Sequence, residues 1–425
     1  MSESIVPPTS PAARTARSAS SADRMARRLL LSALARLRTG QLVVVEEGRR
    51  HRAGAAGHDV KATIEVHAPA AWSETLRHGS VGLGRAYMNG WWDTDDLTSA
   101  LRIMAAALPL LRRVPRPLRR VRGSVQDRLG LASGRDPDVD RRYIHAHYDL
   151  SNEFFALFLD ETMAYSCAVF ESPSASLAEA SRAKFDRLCR KLDLGPGDHL
   201  VEIGTGWGGL ALHAARHYGA LVTTTTISDE QFEHARRQVR ELGLSDQVRV
   251  LNRDYRDLDG AYDKLVSVEM IEAVDWRDHD TFFAHCSRLL KPEGLMALQA
   301  IVMADQAYER SKLADDFIKR FIFPGGCIPS VTAISRAVTR SGDMRILDVE
   351  DIGRHYAETL ARWRSNFRAR EEDVSRLGFD LTFRRMWEFY LAYCEAGFLE
   401  RHISDVQVLL AKPAWRPAGL ELRRT

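Results

Sequence analysis

The sequence predicts an α/β protein in which a small N-terminal domain precedes a parallel sheet. Three observations support this fold class. Strand-like and helix-like segments alternate over roughly residues 185–303, and a glycine-rich turn joins the first such strand to the next helix. The chain also has 425 residues and a globular composition, which is enough for two or three domains.

The alternating region begins with a helix, because Phe185, Leu188, Cys189 and Leu192 recur at helical spacing. Strands are then predicted in HLVEIG, ALVTTTTI, QVRVLNRD, DKLVSVEM and GLMALQAIVM, with helices in GGLALHAARHYG, DEQFEHARRQVRELG and TFFAHCSRLLKP. Strands separated by helices of this length form parallel sheets with right-handed crossovers. The mostly helical residues 305–425 are expected to form a lid and the last strands.

The N-terminal part of the chain differs in composition. Residues 1–23 are rich in Ser, Ala, Pro and Arg, which predicts a disordered tail. Residues 24–123 form a small basic domain with an amphipathic helix over 24–38 and strands in QLVVVEEG and KATIEVHAP. The polar, Gly-containing residues 124–140 predict a linker, and 141–425 form the main domain.

Charge is unevenly distributed along the chain. The formal net charge is +3, yet residues 1–123 hold 20 Lys and Arg against 10 Asp and Glu, which favours an anionic partner for this part. The stretch LPLLRRVPRPLRRVRG, 108–123, is expected to lie at an anionic membrane surface, with a solvated linker as the alternative. The longest apolar run, 103–111, is too short to span a bilayer. Six arginines carry the charge of that stretch: Arg112, Arg113, Arg116, Arg119, Arg120 and Arg122.

The cysteine and histidine patterns give no support for a metal site. The five cysteines are odd in number and widely spaced, without a C-x-x-C pair, which predicts reduced thiols in a cytosolic protein. His145 and His147 form a pair, but no third ligand motif accompanies them. No metal is therefore expected.

The turn VEIGTGWGG, 201–209, has the G-x-G-x-x-G spacing but does not by itself identify a ligand. Gly204, Gly206 and Gly209 let a ligand approach the backbone closely at a helix N-terminus. That motif alone is weak support for a dinucleotide site. A pyrophosphate, the carboxylate of an amino-acid-like cofactor, and a tight turn without a ligand all remain open.

A nicotinamide site would also need an acidic residue at the tip of the second strand to hold the ribose. That strand ends with Thr226 and Ser228, and Asp229 follows at the predicted N-cap of the next helix. The acid Glu202 instead precedes the turn, where it could order the loop or contact a cationic amino group. A nicotinamide oxidoreductase is therefore the less favoured enzyme, beside a non-enzymatic adaptor that would bind nucleic acid or a membrane.

Several motifs in order give the chain a specific resemblance. VEIGTGWGG, TTTTISDEQ, SVEMIEAV, FIFPGGCIPS and FRRMWEFYLAYCEAGF resemble the cyclopropane-fatty-acyl-phospholipid synthase family of S-adenosylmethionine-dependent methyltransferases. The resemblance runs from about Tyr143 to the end, and GLGRAYMNGWWD resembles the N-terminal domain of longer members. It implies a Rossmann-like class I methyltransferase sheet with a helical lid, plus the small N-terminal domain.

Carried over position by position, the resemblance implies that the glycine turn, the segment before the sheet and the second strand tip hold S-adenosylmethionine. The implied cofactor residues are Tyr165, Ser166, Glu202, Gly204, Gly206, Trp207, Gly208, Thr226, Ile227, Gln231, Tyr255 and Arg256.

The resemblance also implies a reaction at the cis double bond of a phospholipid acyl chain. Methyl transfer gives a carbocation, and a bound bicarbonate removes a proton to close a cyclopropane ring. Cys167, Glu272, Ile301 and Tyr356 would hold that bicarbonate. Many members have His where this chain has Gln299, which can hydrogen-bond an anion but cannot take up a proton near neutral pH. A methylene or methyl branch is therefore the alternative product.

The remaining expectations concern the acyl chain and its surroundings. The enzyme is expected at the cytoplasmic face of the membrane as a peripheral protein, without nucleic acid. A homo-oligomer, and a partner reductase acting on a methylene product, stay open. Five aromatic residues are candidates for steadying the cation, or for plain packing: Phe170, Phe317, Phe321, Phe323 and Trp363.

Overall fold

The computed structural model describes residues 18–54, 57–112 and 150–417. Contacts between α-carbons divide the chain into two compact units. The first unit combines the N-terminal region with Ala314–Pro324 and Leu360–His402, and the second contains the remaining parts. The domain boundaries predicted from the sequence did not separate these two helical segments from the rest of 141–425. The predicted linker and most of the predicted N-terminal tail lie outside the described residues.

The N-terminal region contains a four-stranded sheet with helices beside it, and its strands lie in the order β2 (Arg49–Gly54), β1 (Gln41–Glu46), β3 (Lys61–Val66) and β4 (Trp92–Thr94). Two of its strands, β1 and β3, are the ones the sequence predicted; β2 was missed because its sequence RRHRAG is charged, as suits an edge strand. The amphipathic helix starts earlier than predicted, because Ser20 and Asp23 form a capping box. The elements are α1 Ser21–Leu34, β1 Gln41–Glu46, β2 Arg49–Gly54, β3 Lys61–Val66, α2 Ala70–His78, α3 Ser80–Met88, β4 Trp92–Thr94 and α4 Leu97–Arg112.

The region from 150 to 303 confirms the predicted alternation of strands and helices. Ser228 is the N-cap of the helix after the second strand and accepts a hydrogen bond from the Gln231 N–H, so the prediction of Asp229 as the cap was wrong by one residue. The elements are α5 Asn152–Ala156, α6 Leu177–Lys191, β5 His199–Ile203, α7 Gly209–Tyr218, β6 Leu221–Thr226, α8 Asp229–Glu241, β7 Val248–Asn252, β8 Tyr262–Val268, α9 His279–Leu289 and β9 Leu290–Met303.

The C-terminal region is mostly helical and supplies two further strands. A short π-helical turn covers Ile318–Ile322. The elements are α10 Asp305–Ser311, α11 Val331–Ser341, β10 Arg345–Asp351, α12 Gly353–Ala369, α13 Glu371–Arg376, α14 Leu381–Leu399 and β11 Ile403–Ala411.

The second unit is built on a seven-stranded sheet in the order β10-β11-β9-β8-β5-β6-β7. Strands β5 to β9 run parallel, whereas β11 pairs antiparallel with β9 and β10 pairs antiparallel with β11. Most of the sheet is apolar, but Gln299 on β9 and both Asp405 and Gln407 on β11 are fully buried. Buried polar side chains need hydrogen-bond partners, so apolar packing does not explain why these three residues occur here.

Four of the five aromatic candidates belong to the first unit. Phe317 is fully buried there, and its ring centroid lies 4.5 Å from that of Phe389 and 5.1 Å from that of Phe321. A Cβ at Gly84 would come within 2.2 Å of the Phe317 ring, so this glycine makes room for the aromatic cluster. These contacts are those of core packing. Within the described part of the chain, no helix has both the length and the apolar character needed to cross a membrane.

Candidate active site

The glycine turn connects β5 to α7 in a conformation that suits glycine. Gly204 has φ +99° and Gly206 has φ +51°, both in the left-handed region that side chains disfavour. The Gly204 and Thr205 N–H groups donate to the Thr225 carbonyl at 3.0 and 2.9 Å, which ties the turn to β6. Within the described residues, the backbone N–H of Gly206 donates to no acceptor. The turn therefore offers a free donor at a bend that a ligand can approach.

A cavity lies over this turn, at the carboxyl ends of β5, β6 and β8, and we call it the glycine-turn cavity. Eleven of the twelve predicted cofactor residues line it. The exception is Gly208, which caps α7 with φ +94° and does not line the cavity. The eleven are Tyr165, Ser166, Glu202, Gly204, Gly206, Trp207, Thr226, Ile227, Gln231, Tyr255 and Arg256.

The second strand tip forms one side of the cavity. Thr226 donates to the Gln231 side-chain oxygen at 2.8 Å, and both residues are buried. Arg256 is not a solvated charge, because its guanidinium donates twice to Asp254 at 2.8 and 2.7 Å. These side chains are held in place by their partners, so this wall is already ordered for a ligand.

Two ionisable side chains are buried in the wall of this cavity. Glu202 is 3% exposed and accepts a hydrogen bond from the Thr224 hydroxyl at 2.6 Å. Burial raises the pKa of the Glu202 carboxyl to about 8, against the lowering effects of Thr224 and Lys184. Lys184 on α6 is 1% exposed and lines the same cavity, although the sequence did not single it out.

The predicted anion-binding residues come together around a glutamate that was not predicted. Glu269, at the end of β8, accepts a hydrogen bond from the Cys167 N–H at 2.8 Å and one from the Gln299 amide at 2.8 Å on the same oxygen. Its other oxygen accepts from the Tyr356 hydroxyl at 2.6 Å. Both oxygens therefore act as acceptors, as an ionised carboxylate requires. Glu269 also lines the glycine-turn cavity.

Two more carboxyl groups lie beside Glu269. Glu272 accepts a hydrogen bond from the Ile301 N–H on one oxygen, while its other oxygen has no partner among the described residues. Burial, and secondarily the charge of Glu269, raises the pKa of Glu272 to about 8. Burial likewise raises the pKa of Asp405 well above its usual value, with further contributions from Glu269 and Glu272. At neutral pH both groups therefore favour the protonated form.

Gln299 links these groups. Its amide nitrogen donates to Glu269 and, at 3.0 Å, to Asp405, while its oxygen accepts from the Gln407 amide at 3.0 Å. This network defines which end of the Gln299 amide faces the carboxyl groups. We call the assembly the carboxylate cluster; it consists of Cys167, Glu269, Glu272, Gln299, Ile301, Tyr356 and Asp405.

The backbone at Glu269 is strained. Its φ is +48°, a left-handed conformation that is uncommon outside glycine. Such a conformation costs on the order of 1–3 kcal/mol and persists where the surroundings enforce it, often at functional sites. Its N–H donates to the Gln299 carbonyl at 2.8 Å, which holds the strained turn against β9. In this conformation the Glu269 carboxylate accepts hydrogen bonds from the Cys167 N–H and the Tyr356 hydroxyl.

Comparisons with known proteins show the family of the chain. The family model for mycolic acid cyclopropane synthetase matches residues 135–408. The chain belongs to this family. It is 41% identical over 358 residues to tuberculostearic acid methyltransferase UfaA1 of Mycobacterium tuberculosis, covering 82% of this chain and 83% of that protein. It is 35% identical over 369 residues to the cyclopropane-fatty-acyl-phospholipid synthase of Escherichia coli K12, covering 85% and 91%.

A solved structure of the same family confirms the predicted fold. Mycolic acid cyclopropane synthase CmaA1, complexed with SAH and CTAB, matches with a TM-score of 0.60 and 32% identity, covering 64% of this chain and 98% of that one. The chain thus has a class I methyltransferase fold, and the protein is an S-adenosylmethionine-dependent methyltransferase of the cyclopropane synthetase family. The resemblance read from its motifs is confirmed.

The glycine-turn cavity fits S-adenosylmethionine. The free Gly206 N–H, the buried Glu202 and the ordered Thr226–Gln231 pair supply donors and acceptors along one continuous wall. The geometry is consistent with the predicted cofactor contacts, and each individual contact stays a prediction.

Sequence reasoning missed three residues of the site: Glu269, Lys184 and Asp405. A signal existed for Glu269, because SVEMIEAV contains two glutamates at the end of a predicted strand, where parallel sheets carry their sites. Lys184 lies on an ordinary amphipathic helix, and Asp405 lies in a strand close to the C-terminus. No local pattern distinguishes those two from surface charges.

Proposed function

We propose that this methyltransferase acts on the cis double bond of unsaturated phospholipid acyl chains and produces a methylene-branched chain, with Glu269 as the base. The observation that carries the proposal is the position of Glu269 in the carboxylate cluster. Its carboxylate engages the Cys167 N–H and the Tyr356 hydroxyl, two of the groups expected to hold bicarbonate. We infer that a carboxylate of the chain performs the task for which bicarbonate was expected.

The chemistry needs one base and one electrophile. S-adenosylmethionine, when bound, supplies an electrophilic methyl group on a sulfonium. The π electrons of the acyl double bond form the new carbon–carbon bond as the sulfur–carbon bond breaks, which leaves a cation on the other olefinic carbon. A hydride shift then moves the cation to the carbon that carries the new methyl group. Loss of a methyl proton to the Glu269 carboxylate gives an exocyclic methylene.

The timing of proton removal separates the two products. Without the hydride shift, loss of the same methyl proton closes a cyclopropane ring. In this chain Glu269 already accepts three hydrogen bonds, from Cys167, Gln299 and Tyr356. A carboxylate has about four lone-pair positions, so proton uptake must compete with bonds already made. A slower base lengthens the lifetime of the cation and favours the shift.

The names of the relatives support the substrate class. UfaA1, at 41% identity, is a tuberculostearic acid methyltransferase, and the Escherichia coli relative is a cyclopropane-fatty-acyl-phospholipid synthase. Ring closure therefore stays the second candidate, favoured by the 35% identity to that synthase. We further propose a peripheral position on the cytoplasmic face of the membrane, where the acyl chains are, and a partner reductase that would convert the methylene to a methyl branch.

The test is a reconstitution with the purified protein, S-adenosylmethionine and liposomes of an unsaturated phosphatidylglycerol. Mass spectrometry of the released fatty acids should show a gain of one CH2 in unsaturated chains, and none in saturated control liposomes. Ozonolysis should then cleave the product at the branch and release formaldehyde. A product that resists ozonolysis is the cyclopropane and overturns the methylene assignment, whereas no mass gain overturns the lipid substrate.

A further inference from the structure

Lys184 is a buried cation whose partners within the chain are incomplete. Its side chain is 1% exposed, and its ammonium donates to the Ser166 hydroxyl at 2.6 Å. The ammonium also lies 4.4 Å from the centre of the Phe185 ring. An ammonium has three N–H donors, and one of them is used here. Burying a charge without a directly paired opposite charge is unfavourable, so something must offset this penalty.

The nearby carboxyl groups are occupied by other donors. Asp160 accepts from the Thr162 N–H at 2.8 Å and from the Ser181 hydroxyl at 2.8 Å. Glu202 accepts from Thr224, and Glu269 carries three bonds within the carboxylate cluster. In the described part of the chain, the ammonium of Lys184 contacts the Ser166 hydroxyl and the Phe185 ring but forms no ion pair within 4.0 Å with a carboxylate. Glu269 and Asp160 therefore act on Lys184 only from a distance, and among the described residues neither forms a direct hydrogen bond or ion pair with its ammonium.

The position of Lys184 indicates where a directly paired opposite charge comes from. Lys184 and Ser166 both line the glycine-turn cavity, as Glu202 does. Lys184 also acts electrostatically on Glu202, because its charge opposes the rise in the Glu202 pKa. A cation and a carboxyl group thus face one cavity in the same region. The amino-acid end of S-adenosylmethionine is a zwitterion and carries the matching carboxylate and ammonium.

We propose that Lys184, together with the Ser166 hydroxyl that it fixes, binds the carboxylate of the methionine half of S-adenosylmethionine. This inference deepens the proposed function and rests on its cofactor, not on its lipid product. Ser166 accepts a hydrogen bond from the ammonium, so its own O–H is free to donate to that carboxylate. Glu202 is left to meet the ammonium of the same amino-acid end.

The test compares two ligands that differ only in the carboxylate. Calorimetry would measure binding of S-adenosylhomocysteine and of its decarboxylated form, which keeps the nucleoside, the sulfur and the amine. In Lys184→Met, affinity for S-adenosylhomocysteine should fall by about tenfold or more, as expected when a charge-assisted hydrogen bond is lost. Affinity for the decarboxylated ligand should stay within about twofold, because this ligand has no carboxylate for Lys184 to bind.

Lys191→Met is the matched control. Lys191 lies on the same helix, but it pairs with Asp348 at 2.8 Å and with Glu350 at 2.9 Å and does not line the cavity. Both ligands should bind this variant as they bind the unaltered protein. The melting temperature of ligand-free Lys184→Met should not fall, because the substitution removes a buried charge.

Unchanged affinity of Lys184→Met for S-adenosylhomocysteine overturns the proposal, and so does an equal loss for both ligands. If Lys184→Met does not fold, Ser166→Ala serves instead, and the same selective loss for the carboxylate-bearing ligand is expected. These measurements need no lipid. A protein that binds S-adenosylhomocysteine through Lys184 but methylates no acyl chain would contradict the proposed function and leave this inference intact.

Discussion

The glycine-turn cavity and the carboxylate cluster adjoin each other but are built in different ways. The core of the cavity comes from the backbone of one turn, between Gly204 and Gly206, and from the next strand tip. The carboxylate cluster is built from side chains that are far apart in sequence, from Cys167 to Asp405. The cavity therefore depends on local conformation, whereas the carboxylate cluster depends on the register of β8, β9 and β11.

The largest effect is expected in the carboxylate cluster. Glu269→Gln keeps the shape of the side chain but removes the base, so the rate of lipid methylation should fall by about 10²–10⁴-fold. Affinity for S-adenosylhomocysteine should change little, because the glycine turn is intact. Product formation on liposomes and calorimetry would separate the two quantities.

Glu241→Gln is the control for that variant, since Glu241 is exposed at the end of α8 and does not line the cavity. Its rate should equal that of the unaltered protein. A Glu269→Gln enzyme with more than about a tenth of the normal rate would remove Glu269 from the role of base.

The difference between the two regions also explains what the sequence could predict. The alternation of strands and helices, and the turn with Gly204 and Gly206, follow from local patterns and were predicted. Glu269 was missed although it stands three residues before Glu272, because only the fold brings it against Cys167 and Tyr356. The grouping of Leu360–His402 with the N-terminal region likewise depends on long-range packing that no local pattern contains.

A substitution in the glycine turn should mainly change ligand affinity and stability, whereas Glu269→Gln should mainly change the rate of methylation. A Cβ at Gly204 would lie 3.2 Å from the Met270 side chain, in a backbone with φ +99°. Gly204→Ala should therefore lower the free energy of unfolding by about 1–3 kcal/mol and weaken binding of S-adenosylhomocysteine by about tenfold or more. Urea unfolding and calorimetry measure these changes.

Gly243→Ala provides the comparison for the turn variant. Gly243 has φ +67°, a Cβ added there would meet no atom within 4 Å, and the residue lies after α8, away from the cavity. Stability should fall by about 1 kcal/mol, as for other unfavourable left-handed residues, while ligand affinity is preserved. Equal affinity losses in both glycine variants would show that instability alone explains the turn result.

A smaller loss is expected at Tyr356. Tyr356→Phe removes the hydroxyl that donates to Glu269 at 2.6 Å. A hydrogen bond to a charged group contributes about 1.5–3 kcal/mol, so the methylation rate should fall by about 10–100-fold. Tyr218→Phe removes a similar bond, in which the hydroxyl donates to Asp186 at 2.5 Å outside the site. That variant should methylate lipid at the normal rate; a matching loss of rate would deny Tyr356 a specific role.

The smallest effect is expected in the pH dependence of the free energy of unfolding, through Glu202 in the wall of the glycine-turn cavity. The pKa of Glu202 is about 8 in the fold and 4.5 as its ordinary value, so the folded state retains a proton that the unfolded chain has released between these pH values. Its stabilising contribution is complete below about pH 4.5 and is lost as the pH rises toward about 8. In urea unfolding without ligand, Glu202→Gln should therefore lose less stability between about pH 5 and pH 8 than the unaltered protein. An identical pH dependence in both proteins would contradict the shifted pKa.

The central claim is that Glu269 supplies the carboxylate for which bicarbonate was expected. The most direct measurement is the rate of lipid methylation in buffer freed of carbon dioxide, with and without added bicarbonate. We predict the same rate in both conditions for the unaltered enzyme, together with a rate that bicarbonate restores in part for Glu269→Gly. A severalfold fall in the unaltered enzyme without bicarbonate, reversed when bicarbonate is added, would contradict this claim.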